Sequence, residues 1–389
     1  MKPDRYAAII LAAGRSSRLG WFKPLVSLGG ETLVERAVSL FRAAGLSEIL
    51  VVVGHRGREL RPVLRKAGVR IIENAGFQEG MLSSVSAGVR GLGSATAAFF
   101  VLPVDVPLVR NWTVRRLLAV HEERPGSIVH PCFCGRRGHP PLIPSDLVDA
   151  ILGGPAAGGL RAVLVRHEER AVGVEVPDRN ILFDVNSPAQ CEELVHRFRR
   201  YAIPTRDECE VLLTSAYGVS EKAMSRSRLV ERAARTLGQA LCQAGERLDA
   251  GLISAGAMLH DIARGRQNDI GARILDEMGF SPVAGVVAAH TDMGVEESAP
   301  ISEWEVVYIA NKLVEGDRRV SLDRRSRSET ERFAEDADAL RDGGMGWQKA
   351  VAVKDRLERR LGRSLDAVLQ EGELPDDAAS IMGPRGSDI

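Results

Sequence analysis

Leu11-Ala12-Ala13-Gly14-Arg15-Ser16-Ser17-Arg18-Leu19-Gly20-Trp21-Phe22-Lys23-Pro24-Leu25 follows directly on a continuous apolar run at residues 7–13. An unbroken apolar strand, rather than an alternating one, belongs to a sheet covered on both faces. In such sheets ligands sit beyond the carboxyl ends of the strands, so the turn at Gly14 lies at the ligand edge. Small residues let its backbone N–H groups approach a phosphate closely. Arg18 and Lys23 add positive charge. Leu11, Ala12, Ala13, Gly14, Arg15, Ser16, Ser17 and Gly20 are thus the expected phosphate-binding loop. It is not a Walker A loop, because Trp21 rather than lysine follows Gly20, and it does not read G-x-G-x-x-G.

Working outward, further strands are expected at 49–53, 69–72, 97–104, 127–129 and 171–176. Between the first two, Leu33, Val34, Ala37, Val38, Leu40, Phe41 and Ala44 recur at helical spacing over 32–44, and Gly45 stands just past the end. Strands alternating with helices make this an α/β domain: a Rossmann-like, mostly parallel sheet with helices on both faces. The pattern changes near residue 199. Residues 200–208 contain Pro204 and no period. Beyond them Leu229, Val230, Ala233, Ala234, Leu237, Ala240 and Leu241 form one stripe, and helical patterns continue at 252–262, 272–278, 283–289, 306–314 and 347–361. The expected division is an α/β domain over 1–199, a linker over 200–207, an all-α domain over 208–371 and a disordered tail over 372–389.

Composition agrees with two ordinary globular domains. The chain has 389 residues, 44% hydrophobic and 27% charged, with a formal net charge of zero. Zero net charge gives no support to a nucleic-acid or membrane-surface role. No stretch approaches the roughly 18 apolar residues of a membrane span. The apolar start imitates a signal peptide, but Arg15-Ser16-Ser17-Arg18 follows it directly and a buried first strand accounts for it better. The expected location is cytoplasmic, with neither nucleic acid nor membrane as partner. Five cysteines fit no zinc pattern and no disulfide framework. Cys132 and Cys134, on one face of a strand, read as two buried thiols in a reducing compartment rather than as a soft-metal pair.

The Gly14 loop resembles the nucleotidyltransferases of the molybdenum-cofactor family, whose signature is L-A-[AG]-G-x-S-x-R-[ML]-G-x-x-K. The resemblance covers residues 5–198, with four more motifs in the same order. Asn74-Ala75-Gly76-Phe77-Gln78-Glu79-Gly80-Met81-Leu82-Ser83-Ser84 is similar to the segment that approaches the base, which implies nucleotide contacts for Asn74, Ser83 and Ser84. Pro103-Val104-Asp105-Val106-Pro107 is similar to the metal-binding D-x-P loop. Gly135-Arg136-Arg137-Gly138-His139-Pro140 is similar to the segment facing the acceptor, which implies Gly138, His139 and Pro140. Asp184-Val185-Asn186-Ser187-Pro188 is similar to an element whose middle residue helps to hold the metal. The resemblance implies Mg²⁺ on Asp105, with Asn186 and Asp184 as further ligands, and Arg18, Lys23 and Asp105 as the catalytic set.

It also implies a reaction. L-A-A-G leans towards the cytidylyl branch, so the expected substrates are CTP, or another nucleoside triphosphate, and a phosphorylated acceptor, the molybdopterin cofactor, with pyrophosphate released. A molybdoenzyme or maturation factor would be the protein partner. A sugar or polyol phosphate is the alternative acceptor. One departure is residues 153–159, where relatives often have G-D-x-G.

The chemistry asks for the same residue types. In-line attack on an α-phosphate needs positioning and neutralisation of growing charge, and Mg²⁺ takes hard oxygen ligands. No general base is required, because an acceptor phosphate brings its own nucleophilic oxygen. Plainer readings stay open beside these. Asp105 can initiate a turn before Pro107, Asn186 can begin one before Pro188, and His139 can simply hydrogen-bond its loop.

Over residues 208–370 the chain resembles the HD phosphohydrolases through Met258-Leu259-His260-Asp261-Ile262-Ala263-Arg264. The resemblance implies a divalent-metal site of His260 and Asp261, an upstream His and a downstream Asp. Those two positions hold Arg226 and Asn311. Gln267 stands where an intervening His is common, while His290 is present. A guanidinium repels a cation and Asn311 offers only a neutral oxygen. The expectation is a degenerate site at Arg226, His260, Asp261, His290 and Asn311, in a regulatory, docking or vestigial module, with Arg226 paired to Asp261 or binding an anion. A bifunctional transferase and hydrolase is the alternative.

Overall fold

The first strand, β1 (Tyr6–Ala12), is buried along its whole length, as an apolar run requires when both faces of its sheet are covered. The computed structural model describes residues 5–15, 21–154, 158–262, 269–292, 299–332 and 337–372. After β1 the main sheet takes β2 (Glu48–Val53), β3 (Arg70–Glu73), β4 (Ala98–Pro103), β5 (Ile128–Phe133), β6 (Arg136–Arg137), β7 (Leu142–Pro144) and β8 (Ala171–Glu175). Across the sheet the order is β8-β5-β7-β4-β1-β2-β3, with β6 on the side of β5. β1 pairs in parallel with both β2 and β4, as do β2 with β3 and β5 with β8. The expected mostly parallel α/β sheet is present. The exceptions are β7, antiparallel to β4 and β5, and β6, antiparallel to β5. Two- and three-residue strands carry no readable period, so the sequence does not announce them.

Among the described residues seven α-helices flank this sheet: α1 (Leu33–Ala43), α2 (Gly57–Lys66), α3 (Met81–Arg90), α4 (Asn111–Glu123), α5 (Val148–Leu152), α6 (Gly159–Val165) and α7 (Pro188–Arg199). Ala7, Ile9 and Leu11 pack with Val85 of α3, Ile151 of α5 and Leu164 of α6 on one face. On the other, Phe41 of α1 meets Phe100 of β4, ring centroids 5.4 Å apart. α1 starts where Thr32 and Glu35 close a reciprocal capping box. It stops before Gly45, whose φ of 92° is a left-handed value that glycine adopts without a Cβ clash. From β1 the chain builds β2 and β3 to one side and then crosses to β4 on the other. That reversal opens a crevice at the carboxyl ends of β1 and β4.

The chain divides into two units, Met1–Tyr201 and Ala202–Ile389. The second is helical: α8 (Arg206–Val211), α9 (Glu221–Gln243), α10 (Ala250–Leu259), α11 (Asp269–Glu277), α12 (Ser281–Asp292), α13 (Glu303–Lys312), α14 (Leu322–Arg332), α15 (Ala337–Leu361) and α16 (Leu365–Glu371). A two-residue ribbon pairs Val314–Glu315 with Arg318–Arg319. Leu229, Val230, Ala233, Ala234, Leu237 and Leu241 of α9 lie in its core with residues of α10 and α13.

Two expectations need correction. α8 begins inside the stretch expected to be linker, started by a capping box between Thr205 and Glu208 that propensity alone understates. Cys132 is buried but Cys134 is exposed, because it sits at φ 50° in the turn after β5 and no longer shares a strand face with its neighbour. Of the tail expected at 372–389, Gly372 caps α16 and residues 373–389 lie outside the described residues. Among the described residues no helix is long and apolar enough to cross a membrane.

Candidate active site

Gly14 leaves the end of β1 and Asp105 follows the end of β4, so pairing of these strands sets their loops side by side. The Val104 N–H donates to Leu11 O at 3.1 Å and ties one loop to the other. A third segment joins them when the Val185 N–H donates to Asp105 O at 2.9 Å. That segment is the entry to α7, with Ser187 as its cap and Pro188 in the first turn. The Asn186 N–H donates to Gln190 Oε1 at 2.8 Å, which fixes the Asn186 backbone. The Asn186 side-chain amide in turn donates to Asp184.

One cation sits where these segments meet. Lys23 Nζ donates to Asp105 Oδ2 at 3.1 Å and to Asn186 Oδ1 at 2.8 Å. The structure thus brings together Lys23, Asp105, Asn186 and, through Asn186, Asp184. A cavity of about 310 Å³ opens beside them, bounded by Leu11, Gly14, Lys23, Phe77, Ser84 and Asp105. Arg15 lies over the Phe77 ring, 5.9 Å from its centroid. Ser16, Ser17, Arg18 and Gly20 lie outside the described residues. The donor set suits a hard divalent ion: two carboxylates and an amide oxygen, at a point where the fold already accommodates positive charge.

The 74–84 segment is held by hydrogen bonds of its own. Asn74 is buried and donates to Ser83 Oγ at 2.9 Å and to Ser84 Oγ at 3.0 Å, while its Oδ1 accepts from the Gly76 N–H at 3.0 Å. The Ser83 hydroxyl shares its proton between Gly76 O, 2.9 Å away, and Gly80 O, 2.8 Å away. These two side chains hold the loop. Ser84 alone of the three lines the cavity. Gly80, at φ 104° and ψ −178°, turns the chain into α3 through a conformation that side chains rarely adopt.

A second cavity of about 820 Å³ adjoins the first, sharing Met81 and Pro103 with it; His130, Arg136, His139 and Arg161 lie on its wall. The His139 N–H donates to Ile181 O at 2.9 Å. At Gly138 an added Cβ would fall 2.5 Å from that same oxygen, so glycine is required there. Pro140 is buried behind them. Burial pushes the His139 ring below the usual imidazole range, opposed by the negative charges of Asp105 and Asp184. His130 is pushed down to about 4, first by burial and then by the Arg137 charge. His130 and Arg161 are missed by the sequence reading. The expected strand there ends at 129, one residue short of His130, and nothing in 159–165 distinguishes Arg161 from a solvated charge.

In the helical unit Arg226 projects from α9 into a cluster. Its guanidinium lies 2.5 Å from Asp261 Oδ2 and 3.2 Å from His260 Nε2, and also donates to Asn311 Oδ1 on α13. His260 Nδ1 lies 2.8 Å from Ala257 O, which makes Nδ1 the donor and Nε2 the acceptor. A cavity of about 340 Å³ is lined by Tyr217, Ser227, Arg226 and Asp261. His290 is on α12, but its side chain and Gln267 lie outside the described residues. Among the described residues no three His, Cys, Asp or Glu side chains group as a metal site.

Comparison with known proteins agrees with this division. Residues 8–171 match the model of the MobA-like NTP transferase domain and residues 224–341 that of the HD domain. The chain is 27% identical over 181 residues to the molybdenum cofactor cytidylyltransferase of Escherichia coli, covering 46% of this chain and 90% of that protein. It is 42% identical over 117 residues to the bifunctional IPC transferase and DIPP synthase of Rubrobacter xylanophilus, covering 28% of this chain and only 26% of that protein. Among solved structures, a nucleotidyl transferase from Methanothermobacter thermautotroptrophicus is similar at 26% identity, over 50% of this chain and 98% of that one, with a TM-score of 0.45.

Proposed function

We propose that this chain, which joins a MobA-like NTP transferase domain to an HD domain, transfers a nucleotidyl group, CMP from CTP, to the molybdopterin cofactor with release of pyrophosphate. The observation behind this reading is the meeting of Lys23, Asp105 and Asn186, with Lys23 and Asp105 on the wall of the smaller of two adjoining cavities. The backbone at Ala13 and Gly14 and the Lys23 ammonium take the triphosphate charge. Asp105, Asn186 and Asp184 would hold Mg²⁺, which when bound neutralises charge on the phosphates. Arg136 and Arg161 draw an anionic acceptor into the larger cavity. His139, neutral through burial, offers that acceptor a hydrogen bond rather than a charge. The acceptor's own phosphate oxygen is the nucleophile, aligned from the far side of the α-phosphate.

The Ala12-Ala13 pair supports CTP through the resemblance described above, and the identity to the E. coli cytidylyltransferase supports the acceptor. The HD domain then serves regulation, or docking to the molybdoenzyme or maturation factor that receives the product. The test is pyrophosphate release from the purified chain with Mg²⁺, each triphosphate in turn, and molybdopterin cofactor, a sugar phosphate or a polyol phosphate. Release is expected with CTP and molybdopterin cofactor, and Asp105→Ala should lower it at least ~10³-fold while the chain stays folded, losing no more stability than the roughly 1–2 kcal/mol of its pair with Lys23. Equal turnover with GTP would overturn the base assignment. Release with only a sugar or polyol phosphate would overturn the acceptor, and full activity of Asp105→Ala would overturn the site.

A further inference from the structure

We propose that Arg226 is the resident cation of the HD domain: its guanidinium takes the place of a divalent metal and ties three helices together without one. The inference concerns the helical unit alone and stands apart from the transferase reading. Three acceptor atoms converge on one side chain: His260 Nε2 just past α10, Asp261 Oδ2 beside it, and Asn311 Oδ1 in the last turn of α13. A ring nitrogen, a carboxylate oxygen and an amide oxygen aimed at one point make up the donor set of a metal centre. Here that point is filled by a group bonded to the protein. A divalent ion added to the cluster would meet a full positive charge at contact distance.

The lengths of the side chains fit the substitution. An imidazole at position 226 would end short of the guanidinium by about one metal–nitrogen bond, roughly 2 Å. Arginine spans from α9 to the other three groups what histidine plus a metal would span. Arg226 is also anchored. It is 9% exposed, between Met224 and the buried stripe of α9, and stays charged at any pH the fold survives. Lys23 differs: it reaches its two oxygens from a short turn at the edge of an open cavity, where a phosphate can draw it away. A cluster closed by its own guanidinium gives the domain a fixed junction that chelation and metal supply do not affect.

The experiment uses the full chain with Asp105→Ala, so that the transferase ligands do not hold the metal being counted. Protein is incubated with Co²⁺, desalted and analysed for metal. With Arg226 in place, less than roughly 0.1 equivalent should remain; with Arg226→His and Asn311→Asp together, about one should, bringing a chelator-reversible rise in Tm of about 5 °C or more. A stoichiometric ion on the Arg226 chain that Asp261→Ala removes would overturn the proposal, and so would a folded double variant that retains none. Should that variant not fold, Arg226→Met, Asp261→Asn and their combination decide. Arg226→Met should lower Tm, and adding Asp261→Asn should restore most of the loss, because the stranded carboxylate goes with it. Additive losses would overturn the proposal.

Discussion

Lys23 and a divalent cation want the same two oxygens, so removing the lysine should tighten metal binding when no nucleotide is present. The ammonium lies 3.1 Å from Asp105 Oδ2, and both side chains keep some solvent exposure. At that distance and an effective dielectric of about 20, the raw attraction is about 5 kcal/mol. Desolvation and the ordering of a long side chain offset most of it, leaving a net worth of about 1–2 kcal/mol for a part-buried, charge-assisted pair. An entering cation must overcome that pairing. Lys23→Met keeps the volume and removes the competitor, so its metal Kd without nucleotide should fall by about 5- to 30-fold.

Electron paramagnetic resonance of free Mn²⁺, titrated against the full chain, reads this directly. Turnover should move the other way, since the phosphates lose the cation that receives them. Linkage supplies a second check. On the proposed reading, nucleotide should draw Lys23 off the oxygens in the native chain and so raise Mn²⁺ affinity; in Lys23→Met that enhancement should shrink by about the same factor. A variant whose Mn²⁺ affinity without nucleotide is unchanged or weaker would refute the reasoning, because the lysine would then not be holding the metal's place.

Asn74→Ala should destabilise the transferase domain by about 2–3 kcal/mol, seen as a lower urea midpoint, because it deletes two donated bonds and leaves the Gly76 N–H without its acceptor. The nucleotide KM should rise with it through disorder of the 74–84 loop, and an unchanged midpoint would count against the holding role. Stability should also fall on acidification because of His130, whose pKa is pushed from the ordinary 6.5 down to about 4. The unfolded chain binds the proton more readily, so stability rises with pH across this window and is lost between about pH 6.5 and 4. The full shift would be worth about 3 kcal/mol, and partial exposure of the ring brings it to about 2 kcal/mol. His130→Phe should flatten that part of the stability profile, and a native slope there would refute the assignment.

The α/β fold could be read from the sequence because its central strands β1 and β4 are apolar and buried along their whole length and β2 nearly so, a pattern that double coverage explains. β1, β2 and β4 were expected almost to their ends, and α1 to within one residue at each end. The short antiparallel strands β6 and β7 were not, although they bring the 135–140 turn against the sheet and so build the wall of the larger cavity. The candidate site was legible where charge had to gather: Lys23, Asp105 and Asn186 meet in space from positions 163 residues apart. It was not legible where residues act by holding. Asn74 and Ser83 resemble ligand contacts in sequence, and only the structure adds the hydrogen bonds by which they brace the loop. His130 and Arg161 gave no signal, because one side chain on a cavity wall has no spacing to betray it.

The two units solve the same electrostatic problem in different ways. In the first, two oxygens from separate segments converge; in the second, two oxygens and a ring nitrogen do; and a carboxylate in such a cluster is stabilised by a cation at its centre. In the first unit the cation belongs to a turn of three residues beside an open cavity, and its partners are two side chains at a rim. Such a cation can be displaced from its two oxygens for about 1–2 kcal/mol, as the proposed transfer needs. In the second it grows from the buried face of a 23-residue helix and meets acceptors beside α10 and within α13. Moving it would unpack the stripe it stands in. The difference between a catalytic centre and a structural junction is set less by which acceptors converge than by what anchors the positive charge they converge on.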